Sequence, residues 1–195
     1  RKPSFVSFSD TIEEDVSRRD FTINAIAAKY DNSTFSLIDP YNGQNDLKDN
    51  ILRTVGVPSL RFEEDYLRIL RGIRFALRYN LTIEEETLAA MRNLRHNITE
   101  YISWNRIYTE LEEIFFYNTP ADKQAILFEL LSALYPNLSD TNPLQRSYGQ
   151  KESQDFYLLR LGLIHHQCPL DFTNTGISNK QQAILNHIRD LPEEQ

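Results

Sequence analysis

The chain has 195 residues, which is enough for one large domain or two small ones with a sizeable core. Hydrophobic residues make up 41% of the sequence and charged residues 25%, which is ordinary for a globular chain and argues against long disordered segments. No apolar stretch among the 195 residues is long enough to cross a bilayer. The net charge of −7 argues against strong nonspecific binding of nucleic acid, although a local cluster of arginines can still hold phosphate groups.

The first third of the sequence predicts a mixture of short strands and one helix. A strand is expected at residues 5–8, and three acidic residues then open a helix that is expected to span residues 13–29. A second strand is expected at residues 35–38 and a third at residues 51–55, paired with the second. Between these two strands, the Asp-Pro and Asn-Gly pairs within residues 39–43 are typical of a turn.

The remaining two thirds predict helices only, so a domain boundary is expected near residues 57–59. Leucine and isoleucine recur every three or four positions in the first of these helices, which therefore presents one apolar face. Thr82 and Ser103 are expected to cap the two helices that follow it. The predicted helices are residues 62–79, 82–94, 103–116, 120–135, 156–165 and 179–189.

Two motifs place arginines and an aspartate at the start of otherwise apolar helical patterns. The first is residues 18–25, Arg-Arg-Asp-Phe-Thr-Ile-Asn-Ala. In the first turn of the predicted helix, Asp20 and Asn24 would share a face on which both can hydrogen-bond ribose hydroxyls, while Arg19 can reach a phosphate. Helix capping and surface charge are the alternative interpretation, although an asparagine among apolar neighbours is an uncommon choice for a purely structural helix.

The second motif, residues 64–75, places Asp65 and Arg68 three positions apart, so both are expected on one face of the helix. An acceptor beside donors suits the pairing edges of cytosine and adenine, which carry an exocyclic amine beside acceptors. This pair could therefore select C and A and reject U and G without a nucleic-acid template. An intrahelical salt bridge of little energetic value is the alternative.

Arg71 and Arg74 continue the same side of this helix and form a ladder with Arg68, about one turn between neighbours. Unpaired arginines along one ridge repel each other unless an anion neutralises them, and a triphosphate would do so. The alternative is a solvated ridge whose charge is balanced by Glu63 and Glu64.

In this order and at this separation, the two motifs resemble those of the class II tRNA nucleotidyltransferases, a family that includes the bacterial poly(A) polymerases. RRDFTINAIA is similar to the family's ribose-selecting motif and EEDYLRILRGIRFA to its nucleotide-selecting motif. Between them, residues 38–56 match the family pattern DP..G..DL....LR.V. The resemblance is strong over residues 3–116 and weak beyond about residue 150.

Residues 98–115 resemble the helix that follows in the family, with the pattern IS.ERI..EL. Arg106 and Glu110 match this pattern, while Asn105 stands where a glutamate is usual. The later LLSALYPNL segment resembles the family's leucine-rich segment that ends in a proline.

The resemblance implies an α+β fold with three parts. These are the end of a nucleotidyltransferase head (residues 1–58), neck helices with the nucleotide-selecting motif (residues 59–119) and a helical, tRNA-binding body (residues 120–195). It also implies that Asp65 and Arg68 pair with the incoming base. The contacts that it implies with ribose or triphosphate come from Arg19, Asp20, Asn24, Arg71 and Arg74.

The implied activity is the template-independent addition of CMP and AMP, from CTP and ATP, to the 3′ end of tRNA, with Mg²⁺ as the cofactor. In the family, the metal-binding Asp-x-Asp pair precedes the RRDFTINA motif. We therefore expect it upstream of Arg1, assign no catalytic residue within the chain, and expect the 195 residues alone to be inactive. The single cysteine, Cys168, fits a reducing compartment and a cytoplasmic protein.

Two alternatives stay open from the sequence. The first is a poly(A) polymerase, or an enzyme of the same family that adds only C or only A, although residues 102–110 resemble the tRNA-specific enzymes more closely. The second is a non-catalytic helical module that binds RNA or a protein partner. An Asp-x-Asp pair after a Gly-Gly loop in the reading frame upstream of Arg1 would separate this module from the enzyme.

Overall fold

The computed structural model describes residues 11–31, 34–116, 121–134, 161–162 and 177–190. It confirms an α+β chain that is mostly helical with a few short strands. The strand expected at residues 5–8 lies outside the described residues, as does most of the helix expected at residues 156–165. Within the described ranges, no helix combines the length and the apolar character that a membrane span requires.

The first helix, α1 (Ile12–Ser17), is much shorter than the sequence predicted, and a single 3₁₀ turn (Thr22–Asn24) follows it. The chain leaves the helix because Phe21 is completely buried in the core. Backbone hydrogen bonds to a distant segment then replace those of a helix, since the N–H of Thr22 donates to the carbonyl of Arg53 at 2.9 Å. The predicted long helix is therefore wrong.

The short strands form two separate two-stranded sheets. β1 (Ala27–Asp31) pairs with β2 (Thr34–Ile38) in an antiparallel hairpin, and β3 (Ile51–Leu52) pairs with β4 (Thr82–Ile83) in parallel. The predicted pairing of the second strand with the third is wrong, because the helix α2 (Gly43–Lys48) lies between them and the strand just before β2 is the closer partner. β4 was predicted to be helical.

The predicted turn is present and begins α2. Asp39 accepts hydrogen bonds from the backbone N–H groups of Gly43 at 2.7 Å and Gln44 at 2.9 Å. Asn42 adopts the left-handed conformation, with φ of 58°, which asparagine tolerates better than most residues. A Cβ at position 43 would lie 2.2 Å from the carbonyl oxygen of Thr22, so only glycine allows α2 to pack directly against the 3₁₀ turn.

The long helix predicted for residues 62–79 is two helices, α3 (Pro58–Glu64) and α4 (Leu67–Arg78). Asp65 separates them with an extended backbone, φ −158° and ψ 104°. Its carboxylate Oδ1 accepts a hydrogen bond from the N–H of Leu67 at 3.1 Å, which satisfies a free donor at the start of α4. The apolar spacing continues across this break, which is why periodicity alone did not reveal it.

Five further helices are described: α5 (Glu85–Leu94), α6 (Asn97–Tyr101), α7 (Trp104–Phe116), α8 (Ala121–Leu131) and α9 (Asn179–Arg189). The predicted extents of α7 and α9 are confirmed, and α8 lies within its predicted range. The expected cap of α5 is wrong, because Thr82 belongs to β4 and Glu84 caps the helix by accepting from the N–H of Thr87 at 3.1 Å. The short helix α6 was not predicted.

The core forms where α4 packs along α7 and against the segment before the 3₁₀ turn. Gly72 permits this approach, since a Cβ there would lie 2.3 Å from Cε of Met91 and 2.9 Å from Cζ of Phe21. The Phe21 ring also meets Phe75 edge-on, with centroids 5.8 Å apart. Consequently, Asp20 is brought directly against α4. The largest side chains of the core include Phe21, Phe62, Phe115, Ile69, Leu70, Leu81, Met91, Ile98, Ile107 and Leu111.

Candidate functional site

One polar cleft, with a volume of about 520 Å³, lies between the 3₁₀ turn, the start of α4 and the start of α7. A volume of this size suits a small-molecule ligand. The cleft brings together six of the seven residues that the sequence predicted as a site, and Arg74 is the exception. The lining residues are Arg18, Arg19, Asp20, Asn24, Asp65, Leu67, Arg68, Arg71, Phe75 and Arg106.

Asp20 is the most enclosed polar group of the cleft, with 8% of its side chain exposed. Its Oδ1 accepts hydrogen bonds from the side-chain amide of Asn24 at 3.0 Å and from the N–H of Phe21 at 2.9 Å. Its Oδ2 lies 2.7 Å from Nη2 of Arg71. Burial acts to raise the pKa of Asp20, but the Asn24 hydrogen bond and the Arg71 charge outweigh it, so the pKa lies below its usual value. Asp20 is therefore an ionised anchor.

The predicted proximity of Asp20 and Asn24 is confirmed, but the predicted reason for it is wrong. They were expected one turn apart on a helix, whereas Asp20 precedes the 3₁₀ turn and Asn24 ends it. A tight turn also brings residues four positions apart into contact, and the 3.0 Å hydrogen bond joins their side chains directly. The amide of Asn24 thus orients the carboxylate of Asp20.

The arginines of the predicted ladder are paired within the protein, and the partner of Arg68 is Glu64, as the alternative of a charge-balanced ridge anticipated. Arg68 contacts Glu64 at 2.5 Å, and it also donates to the carbonyl oxygens of Arg61 at 2.8 Å and Arg18 at 3.1 Å. Arg71 pairs with Asp20. Neutralisation of this ridge therefore does not require a bound anion.

Arg74 leaves the ladder because it points into the contact between α4 and α7. Its Nε lies 2.8 Å from Oε2 of Glu110, and its guanidinium stacks over the ring of Phe75 at 4.6 Å from the centroid. Arg71 lies on the other side of this carboxylate, with Nη1 3.9 Å from Oε1 of Glu110. Burial raises the pKa of Glu110 above its usual value, although both arginines act to lower it.

The side chains of Asp65 and Arg68 form no ion pair with each other in the described part of the chain, so the alternative of an intrahelical salt bridge is wrong. The helix break turns Asp65 toward α7, where its Oδ2 accepts a hydrogen bond from Nη2 of Arg106 at 2.8 Å. Both residues nevertheless line the same cleft. An acceptor in the break between α3 and α4 and donors in the first turn of α4 thus line one space.

Five residues of the cleft or of the network beside it were absent from the predicted site: Arg18, Leu67, Phe75, Arg106 and Glu110. Arg106 and Glu110 are four residues apart on α7, so they share the face that packs against α4. Their agreement with the pattern IS.ERI..EL was the available signal. It was not used, because no spacing rule connects α7 with the earlier motifs.

The lining of the cleft favours an anionic ligand, since it contains five arginines and only two aspartates. Arg19 pairs with Asp15 at 2.5 Å, and both side chains are about half exposed. Because water screens this pair, Arg19 can readily exchange Asp15 for another anion. The negative charge of the whole chain therefore coexists with a locally positive site.

The described residues do not fit a metal ion. No group of three or more histidine, cysteine, aspartate or glutamate side chains comes together within the described ranges. The two aspartates of the cleft each face an arginine instead. We therefore assign the Mg²⁺ that the resemblance implies to none of these residues.

Family comparisons agree with the motifs. Residues 1–53 match the family described as the poly A polymerase head domain. Residues 80–141 match the family described as the probable RNA and SrmB-binding site of polymerase A.

Similar curated proteins are CCA-adding enzymes. That of Staphylococcus epidermidis is 45% identical over 198 aligned residues, which cover 98% of this chain and 48% of the relative. That of Streptococcus mutans is 41% identical and covers 96% of this chain and 42% of the relative. The chain therefore spans about half the length of the curated relatives it matches.

Similar solved structures include complexes with a nucleotide and a complex with tRNA. The Bacillus stearothermophilus CCA-adding enzyme in complex with CTP is 28% identical, with a TM-score of 0.71 over 95% of this chain and 49% of that one. The Thermotoga maritima CCA-adding enzyme complexed with tRNA CCA is 26% identical, with a TM-score of 0.64 over 93% of this chain and 45% of that one.

Proposed function

Because this chain belongs to the family of CCA-adding enzymes and bacterial poly(A) polymerases, we propose that its arginine-lined cleft binds CTP and ATP. The convergence of six predicted residues in one cleft carries the proposal. These residues come from two motifs about 45 positions apart in sequence, and a purely structural role for each motif would not require them to share one space.

Each group in the cleft has a role that follows from its chemistry. Asp65 supplies acceptor oxygens and Arg68 supplies donors, so together they read the pairing edge of cytosine or adenine. Arg71 and Arg19 offer planar donors that suit the triphosphate. Asp20 and Asn24 are joined by a hydrogen bond next to Arg71, and they bind around the ribose.

Arg74 has a different place in the proposal. It was expected at the triphosphate, yet it lies outside the cleft and pairs with Glu110. We propose that Arg74 supports the site indirectly, by fixing the face of α4 that carries Arg71.

The proposed reaction is the addition of CMP and AMP to the 3′ end of tRNA without a template. Similar proteins have been solved with CTP, with ATP and with tRNA CCA, which supports the two nucleotides as substrates and a tRNA as the acceptor. In this proposal, residues 1–58 end the head domain, residues 59–119 form the neck, and residues 120–195 form a body that binds tRNA. We expect no CMP incorporation by these 195 residues alone, since their sequence contains no Asp-x-Asp pair.

Isothermal titration of the chain with each of the four ribonucleoside triphosphates tests the binding proposal. CTP and ATP should bind, whereas UTP and GTP should bind much more weakly. The template argument fails if all four nucleotides bind with the same affinity.

A second candidate is a poly(A) polymerase, which the descriptions of both matched families favour because each refers to polymerase A. The products of the active enzyme on a tRNA that ends in its discriminator base distinguish the candidates on a gel. A CCA-adding enzyme stops after three nucleotides, a C-only or A-only enzyme adds a single kind, and a poly(A) polymerase continues with a run of A.

A further inference from the structure

Arg106 brings α7 into the cleft, and its contact is with the aspartate that is proposed to read the base. Its Nη2 donates to Oδ2 of Asp65 at 2.8 Å, across 41 positions of sequence. Half of the Arg106 side chain is exposed, and it lines the cleft. Arg106 therefore lies at the ligand side of Asp65.

The carboxylate of Asp65 is held at both oxygens. Oδ1 accepts from the N–H of Leu67 at 3.1 Å, and Oδ2 accepts from Arg106. Each carboxylate oxygen can accept about two hydrogen bonds, so acceptor capacity remains on both. Without Arg106, only the Leu67 contact would restrain rotation of the carboxylate about its Cβ–Cγ bond.

We propose that Arg106 is a positioning residue for nucleotide selection, which holds Oδ2 of Asp65 so that the remaining acceptor positions face the amino group of the incoming base. The inference rests on the proposed function, because it requires that Asp65 reads the base. An exocyclic amine is present on cytosine and adenine and absent from uracil. A carboxylate that rotates freely would accept from the amine less well and discriminate less.

Two other roles for Arg106 predict different behaviour. A direct phosphate contact would strengthen the binding of all four nucleotides alike, since the triphosphate is common to them. A surface ion pair would contribute little to stability and nothing to selection. The ratio of affinities for CTP and UTP therefore distinguishes a positioning role from both.

The test measures the dissociation constants of the four nucleotides for the wild-type chain and for Arg106→Ala, Arg106→Lys, Asp65→Ala and the double variant Asp65→Ala/Arg106→Ala. Loss of a base-edge contact in Asp65→Ala should reduce the CTP-to-UTP preference by roughly 5- to 150-fold. Arg106→Ala should remove part of that preference, at least about threefold on the same scale. Arg106→Lys should lie between wild type and Arg106→Ala, because lysine retains the charge and loses the planar fork.

The double variant shows whether Arg106 acts through Asp65. If it does, Arg106→Ala has no further effect on the preference once Asp65 is alanine. Arg92→Ala is a matched control, since Arg92 pairs with Glu129 at 2.9 Å and is 44% exposed, close to the 50% of Arg106, but lies outside the cleft. It should leave the preference unchanged.

Each outcome supports or overturns the inference. An unchanged preference in Arg106→Ala, with a reduced preference in Asp65→Ala, overturns the positioning role and leaves the proposed function intact. If Arg106→Ala weakens the binding of all four nucleotides equally, Arg106 contacts the phosphates, and the positioning role is overturned as well. If Asp65→Ala leaves the CTP-to-UTP preference unchanged, Asp65 does not read the base and the proposed base-reading function is itself wrong. Because the preference is a ratio, a partly unfolded variant does not distort it, and Arg106→Lys tests the role if Arg106→Ala does not fold.

Discussion

Arg71 contacts a single carboxylate oxygen of Asp20 through two nitrogens, with Nε at 2.8 Å and Nη2 at 2.7 Å from Oδ2. The two residues are 51 positions apart, and this contact joins the segment before the 3₁₀ turn to the middle of α4. The ion pair therefore connects the two sequence motifs from which the cleft is built.

Replacing Asp20 with asparagine should destabilise the chain. The substitution retains the shape of the side chain but removes the closer of the two carboxylates beside Arg71. Loss of one member of a largely buried pair costs roughly 1–3 kcal/mol of unfolding free energy. Urea unfolding measures the difference. Asp15→Asn is the control, because Asp15 pairs with Arg19 at the surface and the change there should stay within about 0.5 kcal/mol. Equal stability of the two variants would show that the buried pair is not important.

Asp65→Ala and Arg68→Ala should differ in kind from Arg71→Ala. The first two remove groups proposed to read the base edge, so UTP and GTP should bind better relative to CTP and ATP, by roughly 1–3 kcal/mol per contact. Arg71→Ala removes a proposed phosphate contact, so the affinities of all four nucleotides should fall by a similar factor and keep their order.

Nucleotide-competition assays, run beside thermal melts, decide between these outcomes. The melts are needed because Arg71→Ala also leaves Asp20 without its arginine. If Asp65→Ala and Arg68→Ala keep the wild-type preference for CTP and ATP, the base-reading role is wrong.

The buried carboxylate of Glu110 should make stability depend on pH. Burial raises its pKa above the ordinary value of 4.5, so the folded state holds a proton that the unfolded state has already released. The stability that Glu110 contributes is therefore fully present below about pH 4.5 and decreases as the pH rises through the folded pKa. The free energy of unfolding of wild type minus that of Glu110→Gln should accordingly fall as the pH rises above 4.5. If this free-energy difference instead grows with pH, the charges of Arg71 and Arg74 outweigh burial and the pKa of Glu110 is lowered rather than raised.

The sequence predicted α7 and α9 well, because the burial of a regular amphipathic helix depends on a regular spacing. Ile107, Leu111 and Ile114 recur every three or four positions on α7, and all three are fully buried. The extent of α9 was also predicted, and in the structure a serine cap and a basic last turn lie at its two ends.

The parts that were not predicted depend on contacts between distant residues. The segment at Asp20 and Phe21 reads as a helix by composition, but its backbone bonds to residues 53–55 instead. The break at Asp65 is invisible in the apolar pattern, and the pairing of Asp65 with Arg106 depends on where α7 packs. Local spacing therefore identified six residues of the cleft, missed others such as Arg106, and misjudged how they are held.

Gly72→Ala should lower both stability and nucleotide affinity. Alanine in a helix is usually favourable by about 1 kcal/mol over glycine, but here its Cβ would meet Met91 and Phe21, and overpacking a core costs roughly 1–3 kcal/mol. A displaced Phe21 would carry Asp20 away from Arg71. Thermal melts and CTP titration measure the two effects, and a variant that melts higher and binds CTP normally would contradict this packing.

A crystal structure of the chain with CTP bound tests the central claim most directly. We predict that CTP occupies the cleft, with the amino group of cytosine within hydrogen-bonding distance of Asp65 and the triphosphate in contact with Arg71. A nucleotide bound elsewhere, or one in this cleft with its base directed away from Asp65 and Arg68, would contradict the account.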